Sequence, residues 1–139
     1  MFHWIEVRAF CHATEEEDRV LAALRTVMPE VEPRREVLAG YFGNPLLLLT
    51  ARSEAAPVLR LVWSRILAAL GKDEVLRRLD ERLDEDAVYH LRLDKQKAYL
   101  GTIETATSPD VLALRVKVAS YPRKRENVIA ALRLEAEGG

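Results

Sequence analysis

A single cysteine, Cys11, leaves no partner for an internal disulfide, so the chain is not a disulfide-stapled secreted scaffold. No basic leader followed by an apolar run and a small-residue cleavage site opens the sequence, and the expectation is a cytoplasmic protein. Long apolar runs are missing too: stretches such as Pro45 to Leu49 fall far below the roughly 20 residues of a membrane-spanning helix. Side-chain amides are limited to Asn44, Gln96 and Asn127, and Arg far outnumbers Lys, a composition of the kind found in thermophilic proteins. Enzyme signatures are equally scarce. His3, His12 and His90 lack the spacing of a zinc site, and Gly71-Lys72-Asp73 lacks the other residues of a phosphate-binding loop. Cys11 and His12 are neighbours on an extended segment and so point to opposite faces, which prevents a thiolate–imidazole dyad. No catalytic residue, metal or cofactor is expected, and the chain reads as a non-enzyme.

What is present is enough apolar material for one core. The 139 residues are 49% hydrophobic and 31% charged, which suits a single domain over residues 1–139 and excludes a disordered tail. Net charge is −1, but its distribution is uneven. From Val88 to Arg125 eight basic residues face three acidic ones, and the rest of the chain is correspondingly acidic. A chain neutral overall can still present one positive face to a polyanion.

His3 to His12 alternates with period two, Ile5, Val7, Ala9 and Cys11 on one face and Trp4, Glu6, Arg8, Phe10 and His12 on the other, which predicts a strand. Thr14 to Glu17 has the form of a capping box before a helix reaching about Val27, with Val20, Leu21, Leu24, Val27 and Met28 as its buried stripe. Short strands over 36–39 and 45–52 flank Gly40 to Pro45, a glycine-bounded turn. Ser53 is placed to cap a helix carrying Leu59, Val62, Trp63 and Ile66, and a further helix is predicted over 73–83. The last third predicts strands over 88–93, 97–105 and 111–119, the latter two joined by a turn at Ser108-Pro109-Asp110, and a closing helix from about Pro122. Hairpins mixed with helices in this order predict an α+β fold, a largely antiparallel sheet covered by helices.

If the last strands form an antiparallel meander, Arg92, Arg115 and Lys117 share one sheet face, with Lys95 and Lys97 extending it. Like charges opposite one another destabilise a sheet unless an anion meets them, so this face is a candidate phosphate-binding surface. Arg123-Lys124-Arg125 falls at the predicted start of the last helix, where cations are disfavoured; either a phosphate relieves the conflict, or salt and solvent screen it, or the helix starts later. Tyr41 and Phe42 either stack on bases or pack beneath their turn. For Trp4 and Phe10 a covering helix or a second subunit is the expected neighbour, with base stacking behind. Asp80 and Asp84 read as part of a solvated charged face.

Four segments together, Val7 to Glu15, Gly40 to Pro45, Leu93 to Gln96 with Ala98 to Gly101, and Lys117 to Pro122, resemble the archaeal RNA-binding proteins described as predicted exosome-associated subunits. Members of that family look like the large-subunit ribosomal protein that binds 5S ribosomal RNA, and the resemblance implies its α+β fold and an RNA partner. Matched polar residues open to an RNA role are His12, Asn44, Lys95, Gln96 and Lys117; Arg92, Arg115, Arg123 and Lys124 join them on the charge argument. The expectation is a non-catalytic binder of structured RNA linked to RNA processing. The alternative is an assembly factor or homodimeric scaffold for which RNA contact is incidental.

Overall fold

The computed structural model describes residues 1–39 and 45–138. The first strand, β1 (Phe2–Cys11), lies at the centre of a five-stranded sheet, and every pairing is antiparallel. On one side of it stand β3 (Pro45–Ser53) and the edge strand β2 (Arg34–Ala39); on the other stand β5 (Val111–Val118) and the edge strand β4 (Val88–Asp94). The alternation predicted for β1 is realised: Ile5, Val7, Ala9 and Cys11 are buried against helices. Leu49 and Ala51 of β3, Leu112 to Val118 at every second position of β5, and Tyr89, Leu91 and Leu93 of β4 complete the same apolar face.

Helices α1 (Glu17–Val27), α2 (Ala56–Leu70) and α6 (Arg125–Gly138) pack on that face through Val20, Leu24 and Val27, through Leu59, Val62 and Ile66, and through Val128 and Leu132. The architecture is therefore a two-layer α+β domain, as the order of elements predicts. No helix among the described residues is long and apolar enough to cross a membrane.

Four local features depart from expectation, each for an identifiable reason. The capping box does not form: Glu15 accepts from the His12 N–H at 3.0 Å, its own N–H bonds back to the His12 carbonyl at 2.9 Å, and this closed turn delays the helix to Glu17. Ser53 likewise ends β3, its hydroxyl accepting from the Ala55 N–H at 3.1 Å, and α2 starts at Ala56 with Pro57 in its first turn.

The helix predicted over 73–83 is broken into α3 (Lys72–Leu76) and α4 (Leu79–Arg82), with Arg78 left-handed between them. A continuous helix needs the carbonyls of Glu74 and Val75 for its own N–H groups. Instead Arg82 Nη1 donates to the first at 2.6 Å and the buried Tyr89 hydroxyl to the second at 2.7 Å. Burial pushes the Tyr89 phenol up to about 12, so it is a donor at all ordinary pH. Tyr89→Phe leaves the Val75 carbonyl without this partner and should destabilise the fold by about 1–2 kcal/mol in urea titration. An unchanged midpoint would show that the hydroxyl does not hold this break.

The predicted strand over 97–105 is mostly a turn. Asp94 caps α5 (Lys95–Tyr99) by accepting from the Lys97 N–H at 2.9 Å, left-handed Gly101 follows the helix, and only a bridge between Leu93 and Thr105 returns the chain beside β4. A capping aspartate inside an alternating segment outweighs the alternation.

Candidate nucleic-acid interface

Helices cover one face of the sheet and, among the described residues, leave the other open. Register determines what the open face carries. Arg34, Thr50, Arg8, Ala113 and Arg92 stand opposite one another in a single row across all five strands. The next row places Arg52, Glu6, Arg115 and His90 side by side, and Trp4, Lys117 and Val88 follow. Neighbouring strands lie about 4.8 Å apart, so the first row alone spans roughly 19 Å. Glu36 and Asp94 are the other acidic residues in the outward register, and Asp94 is committed to its helix cap.

Glu6, only 7% exposed, organises the centre. Its carboxylate meets Arg115 Nη1 at 3.1 Å, Arg52 Nη1 at 3.6 Å and Arg8 Nε at 3.9 Å. Three guanidiniums around one carboxylate leave an excess of positive charge. Trp4 is held between two of them, 4.4 Å from the Arg52 guanidinium carbon and 5.3 Å from that of Arg115. Of the two neighbours expected for Trp4, a covering helix or a second subunit, no helix lies over it among the described residues, where arginines take that place, and Phe10 is exposed. The Nε atoms of Arg8 and Arg115 are buried without a hydrogen-bond partner.

At the β4 edge, Asp84 accepts from the N–H groups of Asp86 at 2.9 Å and Val88 at 3.0 Å, and its other oxygen lies 2.8 Å from His90 Nε2. Burial opposes ionisation of Asp84, but these hydrogen bonds outweigh it and hold the carboxyl below its ordinary value. Asp84 is therefore a structural turn residue rather than part of a solvated charged face.

The predicted site residues other than Asn44 and Lys95 divide into three groups. Arg92, Arg115 and Lys117 do share the open face, and Lys117 Nζ donates to the Asp86 carbonyl. His12 and Gln96 meet at the far end of β1, lining a depression beside Asp110, which accepts from Gln96 Nε2 at 3.4 Å. Arg123 and Lys124 are exposed just before α6, which starts at Arg125; the Lys124 carbonyl accepts from the Val128 N–H at 3.0 Å, so the cations remain at the start of the helix. Arg125 instead bonds the carbonyls of Leu83 and Asp80, both at 3.0 Å. Asn44, with Tyr41 and Phe42, lies outside the described residues.

Lys95 requires correction. Its side chain is 3% exposed, and its ammonium donates to the Phe10 carbonyl at 2.8 Å, to Glu15 at 3.0 Å and to Asp110 at 2.9 Å. With three donors and three acceptors the group is satisfied inside the protein. It joins β1, the turn before α1 and the start of β5, and does not reach a phosphate outside.

Arg8, Arg34 and Arg52 were not among the predicted residues. Arg8 and Arg52 alternate with buried Val7, Ala9 and Ala51, so their outward direction is readable locally. Their meeting with Arg115 depends on strand pairing. Cys11 is buried, with its thiol 3.8 Å from the His12 carbonyl, and burial pushes its pKa up.

A family model described as RNA binding matches residues 4–118, which includes every strand of the sheet almost in full. RNA-binding protein PAB1135 of Pyrococcus abyssi is 37% identical, with 98% of this chain and 94% of that protein covered. Among solved structures, protein AF2318 of Archaeglobus fulgidus superposes with a TM-score of 0.89 at 35% identity, covering 97% of this chain and 99% of that one. Mth689 of Methanothermobacter thermautotrophicus, a DUF54 protein, gives 0.83 at 36% identity with 98% of each chain covered.

Proposed function

We propose, from the premise that this chain belongs to the RNA-binding family, that it is a non-catalytic protein holding structured RNA on the open face of its sheet. The observation that carries the reading is the uncovered face itself, where arginines from all five strands stand in two adjacent rows around the single carboxylate of Glu6. The aromatic residue at its centre, Trp4, is already stacked between Arg52 and Arg115. A face with cations outward and its tryptophan occupied favours phosphate contact over base stacking, and so an RNA whose bases are already paired. A non-catalytic role is supported by the burial of Cys11 and the internal pairing of Lys95.

Exosome association, likeness to the 5S-RNA-binding ribosomal protein and a cytoplasmic location belong to the same proposal. The first two follow from the resemblance in the four sequence segments, and the location from the single cysteine, Cys11. A homodimer is the second reading, favoured by the edge strand β2, whose Val37 is 61% exposed.

The test is binding to a panel of hairpin, duplex and single-stranded RNAs at two salt concentrations, with duplex DNA as control. Tighter, salt-sensitive binding of paired RNA is the expected result. Absence of binding at low salt, together with a concentration-independent dimer in light scattering, would transfer the open face to the assembly reading.

A further inference from the structure

The half of the open face formed by β1, β3 and β2 contains a depression of about 430 Å³. Thr50 lies on its floor, and register places Arg8 and Arg34 directly on either side of it. We propose that Arg34, Thr50 and Arg8 form a phosphate-binding subsite, separate from the Arg92, Arg115 and Lys117 half of the face.

Three features of these residues suit that ligand. Arg8 Nε has no hydrogen-bond partner, with Glu6 3.9 Å away, and the side chain is 39% exposed, so the guanidinium is weakly held and its outer part can meet a ligand. Glu6 is engaged from its other side by Arg115 at 3.1 Å and Arg52 at 3.6 Å, so its charge is compensated without Arg8. Arg34 is exposed and forms no ion pair among the described residues, so its guanidinium is not committed to a carboxylate. Two guanidiniums flanking a hydroxyl present donors from opposite sides and from below. A tetrahedral phosphate has acceptor oxygens in all of these directions, whereas a planar carboxylate has two in one plane. Glu36, one row further along β2, closes the acidic side of the depression and sets the limit of the subsite.

The subsite rests on the RNA reading for its source of phosphate, which is either the backbone diester or a 5′-terminal monoester. The experiment measures affinity of wild type, Arg34→Ala and Thr50→Val for one RNA hairpin bearing a 5′-phosphate or a 5′-hydroxyl. Arg34 is exposed on an edge strand and Thr50→Val preserves shape, and circular dichroism checks that both variants fold. We expect a loss of about tenfold for Arg34→Ala, a smaller loss for Thr50→Val, and a salt slope lower by about one for the arginine variant. Equal losses for both RNAs support the subsite with the backbone as source; losses confined to the 5′-phosphorylated RNA support it with the terminus as source. Unchanged affinity in both variants overturns the subsite. The RNA reading then still stands if removal of Arg92, Arg115 and Lys117 weakens binding. Should wild type bind no RNA, titration of inorganic phosphate against the arginine Nε–H resonances decides alone: saturable shifts at Arg8 and Arg34 support the subsite, and none overturns it.

Discussion

Replacing Arg92, Arg115 and Lys117 together by alanine should weaken binding to a structured RNA by about 100- to 200-fold near 50 mM salt, at roughly a kcal/mol for each phosphate no longer held. Each phosphate released in this way also lowers the salt slope by about 0.9, so the triple variant should fall short of wild type by nearly three. Because the variant has the flatter slope, the two affinities converge as salt rises. Convergence separates the removal of ionic pairing from damage to the fold, which would persist at high salt. The necessary control removes equal charge from the helical layer: Arg60, Arg77 and Arg133, all exposed, to alanine. If that control loses as much affinity, net charge rather than the open face is responsible. Arg115 carries a structural side effect, since its removal leaves Glu6 with Arg52 and Arg8 alone. A variant with Arg115 retained, Arg92→Ala with Lys117→Ala, should show a slope lower by about two.

How far this face is legible in the sequence depends on which contacts are local. β1 is readable because its core side alternates without interruption from Ile5 to Cys11, and the same holds for β5 from Leu112 to Val118. Arg92, Arg115 and Lys117 can therefore be placed on one face once a meander is assumed, but no register follows from the sequence, and with 97–105 mostly a turn it is direct pairing of β4 with β5 that brings them together. Arg8 is visibly outward, yet its neighbours are not. Arg34 and Arg52 reach it through β3, which pairs with β1 across some forty residues of chain, and no local period encodes that pairing. A charge count confined to 88–125 consequently finds half of the surface. The central role of Glu6 is invisible for the same reason: its partners Arg52 and Arg115 lie far away in sequence on two different strands. Helix ends fail differently. Around Thr14 and over 73–83 the propensities are sound, but side chains from elsewhere, Arg35 on Glu17 and Tyr89 on Val75, take the groups that the predicted helices would have used.

Lys95 shows what such a long-range link contributes to stability, and Lys95→Met should lower it by about 2–3 kcal/mol. Removing one partner of a fully buried ion pair typically costs about 3–5 kcal/mol, and the lower figure here reflects the 23% and 42% exposure of Glu15 and Asp110, which water can resolvate. For a domain of this size the loss corresponds to a fall in Tm of roughly 6–10 °C. The pH profile should change with it. Burial opposes the charge on Asp110, but the hydrogen bonds from Lys95 and Gln96 outweigh it and hold the carboxyl below its ordinary value. Its contribution is present above the unfolded pKa, near 4, and is lost as pH falls through the lower folded value. Burial also opposes the charge on Lys95, yet Asp110 and Glu15 raise its pKa, so its contribution is complete below about pH 10 and is lost as pH rises through the raised folded value. Wild type should therefore be stable across a plateau from about pH 5 to 9, and Lys95→Met should lose the part of both flanks that this cluster supplies. RNA affinity distinguishes the structural role from a direct role in binding. With its ammonium enclosed by Phe10, Glu15 and Asp110, Lys95 offers no donor to a phosphate, so the variant, measured well below its Tm, should bind RNA within about twofold of wild type and with the same salt slope. A slope lower by one, with stability unchanged, would return Lys95 to the RNA-contacting residues and remove it from the core.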